Sequence, residues 1–127
     1  SMAFEIRKSW KQQPRIIVVE PDAAPCLLES HKIGRATSVS GPISFMGRLD
    51  CKEPSLIAFD ILKELADEFV CVSDDDALTA ANFLAQNKLA TTPSGAAGLA
   101  AILSNAKLDI SIPDNSTCLV IATEGSV

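Results

Sequence analysis

Histidine and clustered cysteine are scarce in this sequence. His31 is its only histidine, and its four cysteines stand far apart with no Cys-x-x-Cys pair among them. A zinc site needs several nitrogen or sulfur ligands close together, and a thioredoxin-like site needs paired cysteines, so neither is predicted. Reduced thiols in a cytoplasmic protein fit this pattern. A disulfide stays open as an alternative for Cys26 and Cys51, which lie at the mouths of two predicted loops.

Basic charge and long apolar runs are also missing. The chain has 11 basic and 16 acidic residues, a net charge of −5 and no basic run longer than two residues. Nucleic acids and anionic lipids attract clustered positive charge, so neither is an expected partner. The longest apolar runs, such as Leu99–Leu103, are far shorter than the roughly 20 residues that span a bilayer. Ser1-Met2 looks like a tag remnant before a start methionine, and the residues after it lack a signal-peptide pattern.

Apolar residues, in contrast, are plentiful. They make up 47% of the 127 residues, and the mean hydropathy is +0.23. This length is near the commonest domain size, so a single domain over residues 1–127 is predicted. Much of the surface of so small a domain must face water. The apolar excess therefore predicts a surface that a partner or a second copy covers.

Short β-branched runs alternate along the chain with helical patterns. Runs that are apolar on both faces suit parallel strands covered by helices. Strands are predicted at Ile16–Val19, Thr37–Val39, Phe69–Val72 and Cys118–Ile121. Because strands and helices alternate, right-handed crossovers are expected. The predicted fold class is α/β, with three layers: a mostly parallel sheet and helices on both of its faces.

Caps and breakers mark the predicted helices. The helices are expected at residues 3–11, from Pro25 to Ile33, from Ser55 through Leu65, from Ser73 to about Asn87, and from Ser94 to Asn105. Between them, residues 40–53 form a loop without periodicity, and loops of that length are commonly functional.

Two groups of polar residues have simple structural explanations. Asp74, Asp75 and Asp76 could suggest a magnesium site, but consecutive helical residues point in different directions. Carboxylates in a first turn stabilise the helix dipole, so these residues are predicted to cap the helix. His31 has no nucleophile or carboxylate motif near it and is predicted to be a surface or packing residue. No metal site is predicted.

The Thr91–Leu103 segment contains two glycines in Ser94-Gly95-Ala96-Ala97-Gly98. A glycine has no Cβ, so a helix can begin there close against another backbone or a flat ligand. The segment is not a dinucleotide fingerprint, because no strand leads directly into it, and the chain has no Gly-Lys-Ser/Thr of a P-loop. A tightly packed helix N-terminus and the wall of a cofactor site both stay open. Thr123 directly follows a predicted strand, where open parallel sheets place ligand-contacting groups.

Five segments occur in an order and spacing typical of one enzyme group. They are Val19-Glu20-Pro21-Asp22, Leu28-Glu29-Ser30, Lys32-Ile33-Gly34, Met46–Ala58 and Val120–Gly125. Together they resemble the last third of pyridoxal-phosphate (PLP) enzymes of fold type II, in the tryptophan synthase beta-like superfamily. Diaminopropionate ammonia-lyases are the most similar, because of Cys51 and Thr123-Glu124-Gly125, and threonine dehydratases come next.

The resemblance implies which residues lie beside the cofactor. Thr123 matches the hydroxyl that faces the pyridine nitrogen. Met46 and Gly47 match the loop beside the ring, and Thr92 and Ser94 match the turn near the cofactor. A neutral hydroxyl at the pyridine nitrogen makes the ring a weaker electron sink, which suits β-elimination from a small amino acid.

Two essential parts of such an enzyme find no match. The family lysine that forms the Schiff base with PLP opens a helix, whereas Lys11 precedes a predicted strand and Lys32 ends a predicted helix. The family's glycine-rich phosphate loop has no counterpart. No catalytic residue is therefore assigned, and PLP is expected in the parent enzyme rather than on this chain alone.

Three residues depart from the family pattern. Arg48 and Lys52 stand where the ammonia-lyase pattern has glycine, and Thr92 stands where several relatives have glutamate. Two long cationic side chains are therefore expected to intrude on a loop that the family keeps small.

Three functions are compatible with these patterns. The first is the C-terminal portion of a PLP-dependent ammonia-lyase that acts on a small amino acid such as 2,3-diaminopropionate and gives ammonia and a 2-oxo acid. This portion is expected to be inactive without the remainder of the parent enzyme. The second is a non-enzymatic α/β module that binds a partner or a small ligand. The third, a small stand-alone enzyme, has no pairing of nucleophile and base to support it.

Overall fold

The computed structural model describes residues 1–126, which contain five helices and two strands. In chain order these are α1 (Met2–Ser9), β1 (Ile17–Pro21), α2 (Cys26–Ile33), α3 (Leu56–Leu65), β2 (Glu68–Val72), α4 (Asp74–Gln86) and α5 (Pro93–Leu103). Every predicted helix is present, with bounds that differ from the prediction by a residue or two.

The two strands pair in parallel. Ile17 lies opposite Glu68, and Pro21 lies opposite Val72. The ladder continues one step further, because the Asp67 N–H donates to a backbone carbonyl just before β1 at 2.8 Å. A parallel pair requires a crossover connection, which α2 and α3 supply here. The α/β class with a parallel sheet is therefore confirmed.

Two of the predicted strands are wrong. Thr37–Val39 lies in no strand, and the Val39 N–H donates instead to the carbonyl of Lys52 at 2.8 Å. Cys118–Ile121 is likewise in no strand, and the sheet formed within residues 1–126 has only β1 and β2. A β-branched run becomes a strand only where a neighbouring strand takes up its backbone hydrogen bonds. Neither run has such a neighbour in the described part of the chain.

Local side chains fix the ends of the helices. The Ser73 hydroxyl accepts the Asp76 N–H at 3.1 Å and so caps α4, and Ser55 caps α3 in the same way. Helix α2 ends at Gly34, whose φ of 85° lies in the left-handed region and whose N–H donates to the Ser30 carbonyl at 2.8 Å. Glycine adopts that conformation without the strain that a Cβ would cause.

Small side chains fill most of the core, where α4 and α5 pack on each other and α5 packs on the sheet. The buried set comprises Ala77, Ala80, Ala96, Ala97, Ala100 and Ala101, together with Met46, Val72 and Ile110. Because alanines project little, the two helices can approach closely. Met46 is the one residue of the 40–53 loop in this set, and its complete burial anchors that loop to the core.

His31 lies exposed on α2 and stacks on Phe69, with 4.6 Å between the ring centroids. The prediction of a surface or packing histidine is confirmed. Among the helices of residues 1–126, none combines the length and the apolar character needed to cross a membrane.

Candidate functional site

An open cavity of about 780 Å³ lies at the N-terminal end of α5. Its lining comes from three parts of the chain: Phe45, Gly47 and Arg48 of the 40–53 loop, Thr92, Pro93 and Ser94 at the start of α5, and Thr123, Glu124 and Gly125. Four of the five predicted cofactor-binding residues, namely Gly47, Thr92, Ser94 and Thr123, thus surround one space. The fifth, Met46, has its side chain in the core, while its neighbours on both sides line the cavity.

The start of α5 is built for close approach. The Thr92 hydroxyl accepts the Gly95 N–H at 3.1 Å and caps the helix, and Pro93 occupies the first turn, where no N–H is needed. A Cβ built at Gly95 would lie only 2.2 Å from the hydroxyl oxygen of Thr91. A glycine is therefore required at this position for the Thr91 side chain to keep its place.

Glu124 joins the C-terminal segment to this helix start. Its carboxylate accepts the Thr92 hydroxyl, and its backbone carbonyl accepts the Thr91 hydroxyl at 2.7 Å. These contacts hold the backbone beside Thr123 against α5. The sequence patterns did not single out Glu124 as a site residue, although it stands in the Thr-Glu-Gly motif that carries the resemblance.

The loop wall is fixed through its backbone. The Arg48 N–H donates to the Ser94 hydroxyl oxygen at 3.2 Å, and the Leu49 N–H donates to the Met46 carbonyl at 2.8 Å. The Arg48 guanidinium lies at the cavity, with its Nε 3.7 Å from a carboxylate oxygen of Glu124. Arg48 therefore intrudes on the cavity, as the sequence analysis expects.

Asp74 braces the same loop from α4. Its carboxylate accepts the Ser44 hydroxyl at 2.5 Å and the Phe45 N–H at 3.0 Å. The prediction of three capping aspartates is therefore incomplete. Asp76 accepts the Ser73 hydroxyl at the start of α4, whereas Asp74 holds the 40–53 loop.

Asp76 also accepts a hydrogen bond from the Lys107 ammonium, and this bond is the main reason that the pKa of Asp76 is lowered.

Lys52 points away from the cavity. Its ammonium donates to the carbonyls of Ala23 and Pro42 at 2.8 and 2.7 Å and to the Asp50 carboxylate at 2.5 Å. The hydrogen bond from Lys52 is the largest cause of the lowered pKa of Asp50. The expectation that Lys52 intrudes is wrong, because these three acceptors hold it as a brace between the loop and the turn after β1.

A buried carboxylate lies behind this turn. Glu20 accepts the N–H groups of Leu27 and Leu28 at 2.8 and 2.9 Å, so it satisfies two donors at the start of α2. Burial raises the pKa of Glu20, and it also raises the pKa of the Cys26 thiol to about 11. Cys26 is buried and Cys51 exposed, and both thiols are free in this structure. The structure therefore contains two reduced thiols at these positions rather than a disulfide between Cys26 and Cys51.

The comparisons with known proteins agree on one enzyme group. The family model described as pyridoxal-phosphate dependent enzyme matches residues 1–124. L-threonine ammonia-lyase of Thermotoga maritima is 32% identical over 104 residues, which cover 81% of this chain and 25% of that protein. Diaminopropionate ammonia-lyase of Escherichia coli K12 is 28% identical over 123 residues, covering 86% of this chain and 31% of that protein.

Solved structures show the same fold. A threonine deaminase of T.th. superposes with a TM-score of 0.75 at 28% identity, covering 84% of this chain and 37% of that one. A fungal L-serine ammonia-lyase from Rhizomucor miehei has a TM-score of 0.80 and covers 98% of this chain and 41% of that one, and its 23% identity supports the fold alone. This chain thus spans between 25% and 41% of the lengths of these four proteins. With the family model matching nearly every residue, the chain belongs to the pyridoxal-phosphate dependent enzymes, and its α/β fold is that of fold type II.

Proposed function

We propose that this chain forms one wall of the PLP pocket of an ammonia-lyase. The enzyme carries out β-elimination on a small amino acid, such as 2,3-diaminopropionate, and releases ammonia and a 2-oxo acid. The observation that carries this proposal is the convergence of Gly47, Thr92, Ser94 and Thr123 on one cavity of about 780 Å³. The resemblance selects these residues because they would lie beside the cofactor. They come from three separate segments of the chain that line one space, which supports a shared role.

The residues of the cavity suit one side of a flat, polar ring. Thr123 and Ser94 offer hydroxyl groups, and a Cβ built at Gly47 meets no atom within 4 Å, so the loop leaves room there. When bound, PLP would supply the electron sink that elimination needs. Thr123 would hold the pyridine nitrogen through a neutral hydroxyl, and Gly47 would lie beside the ring.

Glu124 acts on the cofactor site by positioning its neighbour. The hydroxyls of Thr91 and Thr92 donate to the backbone carbonyl and to the carboxylate of Glu124, so both the backbone and the side chain of this residue are anchored at the start of α5. Thr123 is the next residue along that backbone. The anchored Glu124 would keep Thr123 beside the cavity that it lines, where its hydroxyl would meet the pyridine nitrogen.

The covalent lysine of the family must come from elsewhere. No lysine lines the cavity in the described chain, and the lysine of the adjacent loop, Lys52, is held by three other acceptors. We therefore expect the 127-residue chain to be inactive alone and to depend on a further segment that carries the lysine and the phosphate loop. The names of the two curated relatives above, an L-threonine and a diaminopropionate ammonia-lyase, support this reaction class.

Purification of the product of the whole reading frame that contains these 127 codons tests this function. We expect that frame to encode a lysine-bearing segment and a glycine-rich loop, and its product to release ammonia from diaminopropionate, threonine or serine. Thr123→Ala should lower kcat/KM by about tenfold or more, because a hydrogen bond to the cofactor is lost. Thr79→Ala, an exposed threonine on α4, serves as the matched control and should change nothing.

The isolated 127-residue chain is the second protein to be assayed in this test. It should release no ammonia and keep no PLP absorbance band once free PLP is removed. Ammonia release by this chain, or a band that persists, would contradict the dependence on a second segment. A complete reading frame without the lysine segment would instead favour the non-enzymatic binding module.

A further inference from the structure

Arg48 is the only cationic residue in the lining of the cavity. Among the small amino acids that the proposed lyase could take, we propose that Arg48 selects one that carries a second carboxylate besides the leaving group on its Cβ, in preference to 2,3-diaminopropionate, and that Arg48 binds this carboxylate. The statement that this ligand is a substrate rests on the function proposed above. The binding of a carboxylate at Arg48 can be tested even if the chain belongs to no lyase.

The guanidinium of Arg48 is available to a ligand. Its side chain is 83% exposed, and its Nε lies 3.7 Å from the Glu124 carboxylate, beyond hydrogen-bond distance. Within residues 1–126, the guanidinium donates no hydrogen bond to another side chain or carbonyl. An exposed ion pair of this length contributes little, so an incoming carboxylate can replace it.

The base of the Arg48 side chain is fixed although its tip is free. The backbone N–H donates to Ser94 at 3.2 Å, and the nearby Met46 is completely buried in the core. Asp74 holds the preceding part of the loop through Ser44 and Phe45. The guanidinium therefore moves about a rigid attachment at the cavity edge, which reduces the conformational freedom that binding must remove.

Two further donors line the same space. Ser94 and Thr123 line the cavity, and neither hydroxyl donates a hydrogen bond to any residue between 1 and 126. A guanidinium offers parallel N–H groups that match the two oxygens of a carboxylate. A carboxylate on the ligand can thus meet Arg48 while a second polar group meets one of the hydroxyls. A second ammonium, as in 2,3-diaminopropionate, would be repelled by Arg48.

Glu124 is the competing charge in this cavity. It is only 23% exposed, and the Thr92 hydroxyl holds its carboxylate in place. Its negative charge attracts Arg48 and opposes a second carboxylate. Neutralising Glu124 should therefore strengthen the binding of an anion, whereas neutralising Arg48 should weaken it. Opposite effects from two side chains in one ion pair are not expected from a purely structural role.

An NMR titration of the ¹⁵N-labelled 127-residue chain with succinate tests the inference. We expect succinate to shift the amides of Gly47, Ser94 and Gly125. Arg48→Gln should weaken succinate binding by about tenfold or more, the usual effect of losing hydrogen bonds to a charged group. Glu124→Gln should tighten binding by about threefold. Arg35→Gln, an exposed arginine outside the cavity, is the matched control and should bind as the wild type does.

Each other outcome decides against the inference. Equal succinate affinity in the wild type and Arg48→Gln, or no succinate binding at all, overturns it. Tighter Arg48-dependent binding of inorganic phosphate than of succinate assigns Arg48 to a phosphate, such as that of the cofactor, and also overturns it. Amide dispersion reports whether each variant folds. If Arg48→Gln does not fold, two other variants test the inference. Arg48→Lys keeps the charge and loses the planar guanidinium, and Glu124→Gln removes the competing carboxylate.

Failure of the proposed function has a different signature. A complete reading frame whose product releases no ammonia would leave Arg48-dependent succinate binding unaffected. Conversely, the complete enzyme could be an active lyase in which Arg48→Gln leaves the ratio of kcat/KM for acidic and neutral amino acids unchanged. That result would refute the role of Arg48 and leave the proposed function intact.

Discussion

At the scale of single residues, Glu20 shows how burial and hydrogen bonding oppose each other. The residue is 7% exposed and accepts two backbone N–H groups at the start of α2. Burial is the larger influence and raises the pKa of Glu20 above its usual 4.5, while the N–H groups of Leu27 and Leu28 lower it by less. Between 4.5 and this raised pKa, the folded state holds a proton that the unfolded state has released.

This difference predicts a pH dependence of stability. Because the folded state binds more protons in that window, the contribution of Glu20 is complete below pH 4.5 and is lost as the pH rises through the folded pKa. We expect the unfolding free energy of the wild type, minus that of Glu20→Gln, to fall between acidic and neutral pH. Urea unfolding at several pH values measures it. A flat or rising difference for Glu20 would contradict the prediction.

Asp67 is predicted to behave in the opposite way. Its carboxylate accepts the Ile16 N–H at 2.6 Å and the Arg7 guanidinium at 2.7 Å, and these contacts, the Ile16 bond foremost, lower its pKa below 3.8. Its contribution is therefore present above pH 3.8 and is lost as the pH falls through the folded pKa. Asp67→Asn should lose about 1 kcal/mol at neutral pH and progressively less below pH 3.8. Urea denaturation of Asp60→Asn serves as the control, because the Asp60 carboxylate pairs with Lys63 on the surface. A loss of stability in Asp67→Asn that does not change with pH would contradict the prediction for Asp67.

At the scale of elements, sequence patterns predict helices better than strands. A helix closes its hydrogen bonds within its own segment, so a cap such as Ser73 and a terminator such as Gly34 mark its ends locally. A strand depends on a neighbour that the local pattern does not contain. Cys118–Ile121 has the composition of a strand but no partner in the described chain, so it forms none.

The same distinction applies to the cavity. Gly47, Ser94 and Thr123 could be predicted because each stands in a motif. The contacts of Glu124 with Thr91 and Thr92 join segments more than thirty residues apart, so no local spacing reveals them. The direction of a long side chain is equally hidden. Sequence comparison treats Arg48 and Lys52 alike, but only the first lines the cavity.

The packing of the 40–53 loop against the turn after β1 leads to a stability prediction. A Cβ at Gly41 would lie 2.3 Å from the backbone carbonyl oxygen of Ala23, whereas a Cβ at Gly47 would meet nothing within 4 Å. A backbone atom cannot turn aside as a side chain can. Gly41→Ala should therefore lower the unfolding free energy by about 1–3 kcal/mol, as overpacking does. Gly47→Ala is the matched control, and equal midpoints for the two variants in urea would refute the argument.

At the scale of the whole molecule, an apolar groove of about 1700 Å³ runs beside β1. Helix α1, helix α5 and residues 110–124 contribute to its lining. Strand β1 pairs on one side only, within the part of the chain that the structure describes. Large apolar side chains in the groove lining, Trp10, Leu119 and Ile121 among them, are between 46% and 68% exposed. Such a surface is typical of an interface, because isolated domains seldom leave so much apolar area in water.

We therefore expect the 127-residue chain to self-associate through this groove. Sedimentation velocity should show a sedimentation coefficient that rises with protein concentration. Leu119→Lys should shift the distribution toward the monomer, because a charge placed in an apolar interface loses its hydration. Leu89→Lys changes an equally apolar side chain, 53% exposed, that lies outside the groove, so it should associate as the wild type does. A wild type that stays monomeric at high concentration would refute self-association, and equal losses in both variants would place the contact elsewhere on the surface.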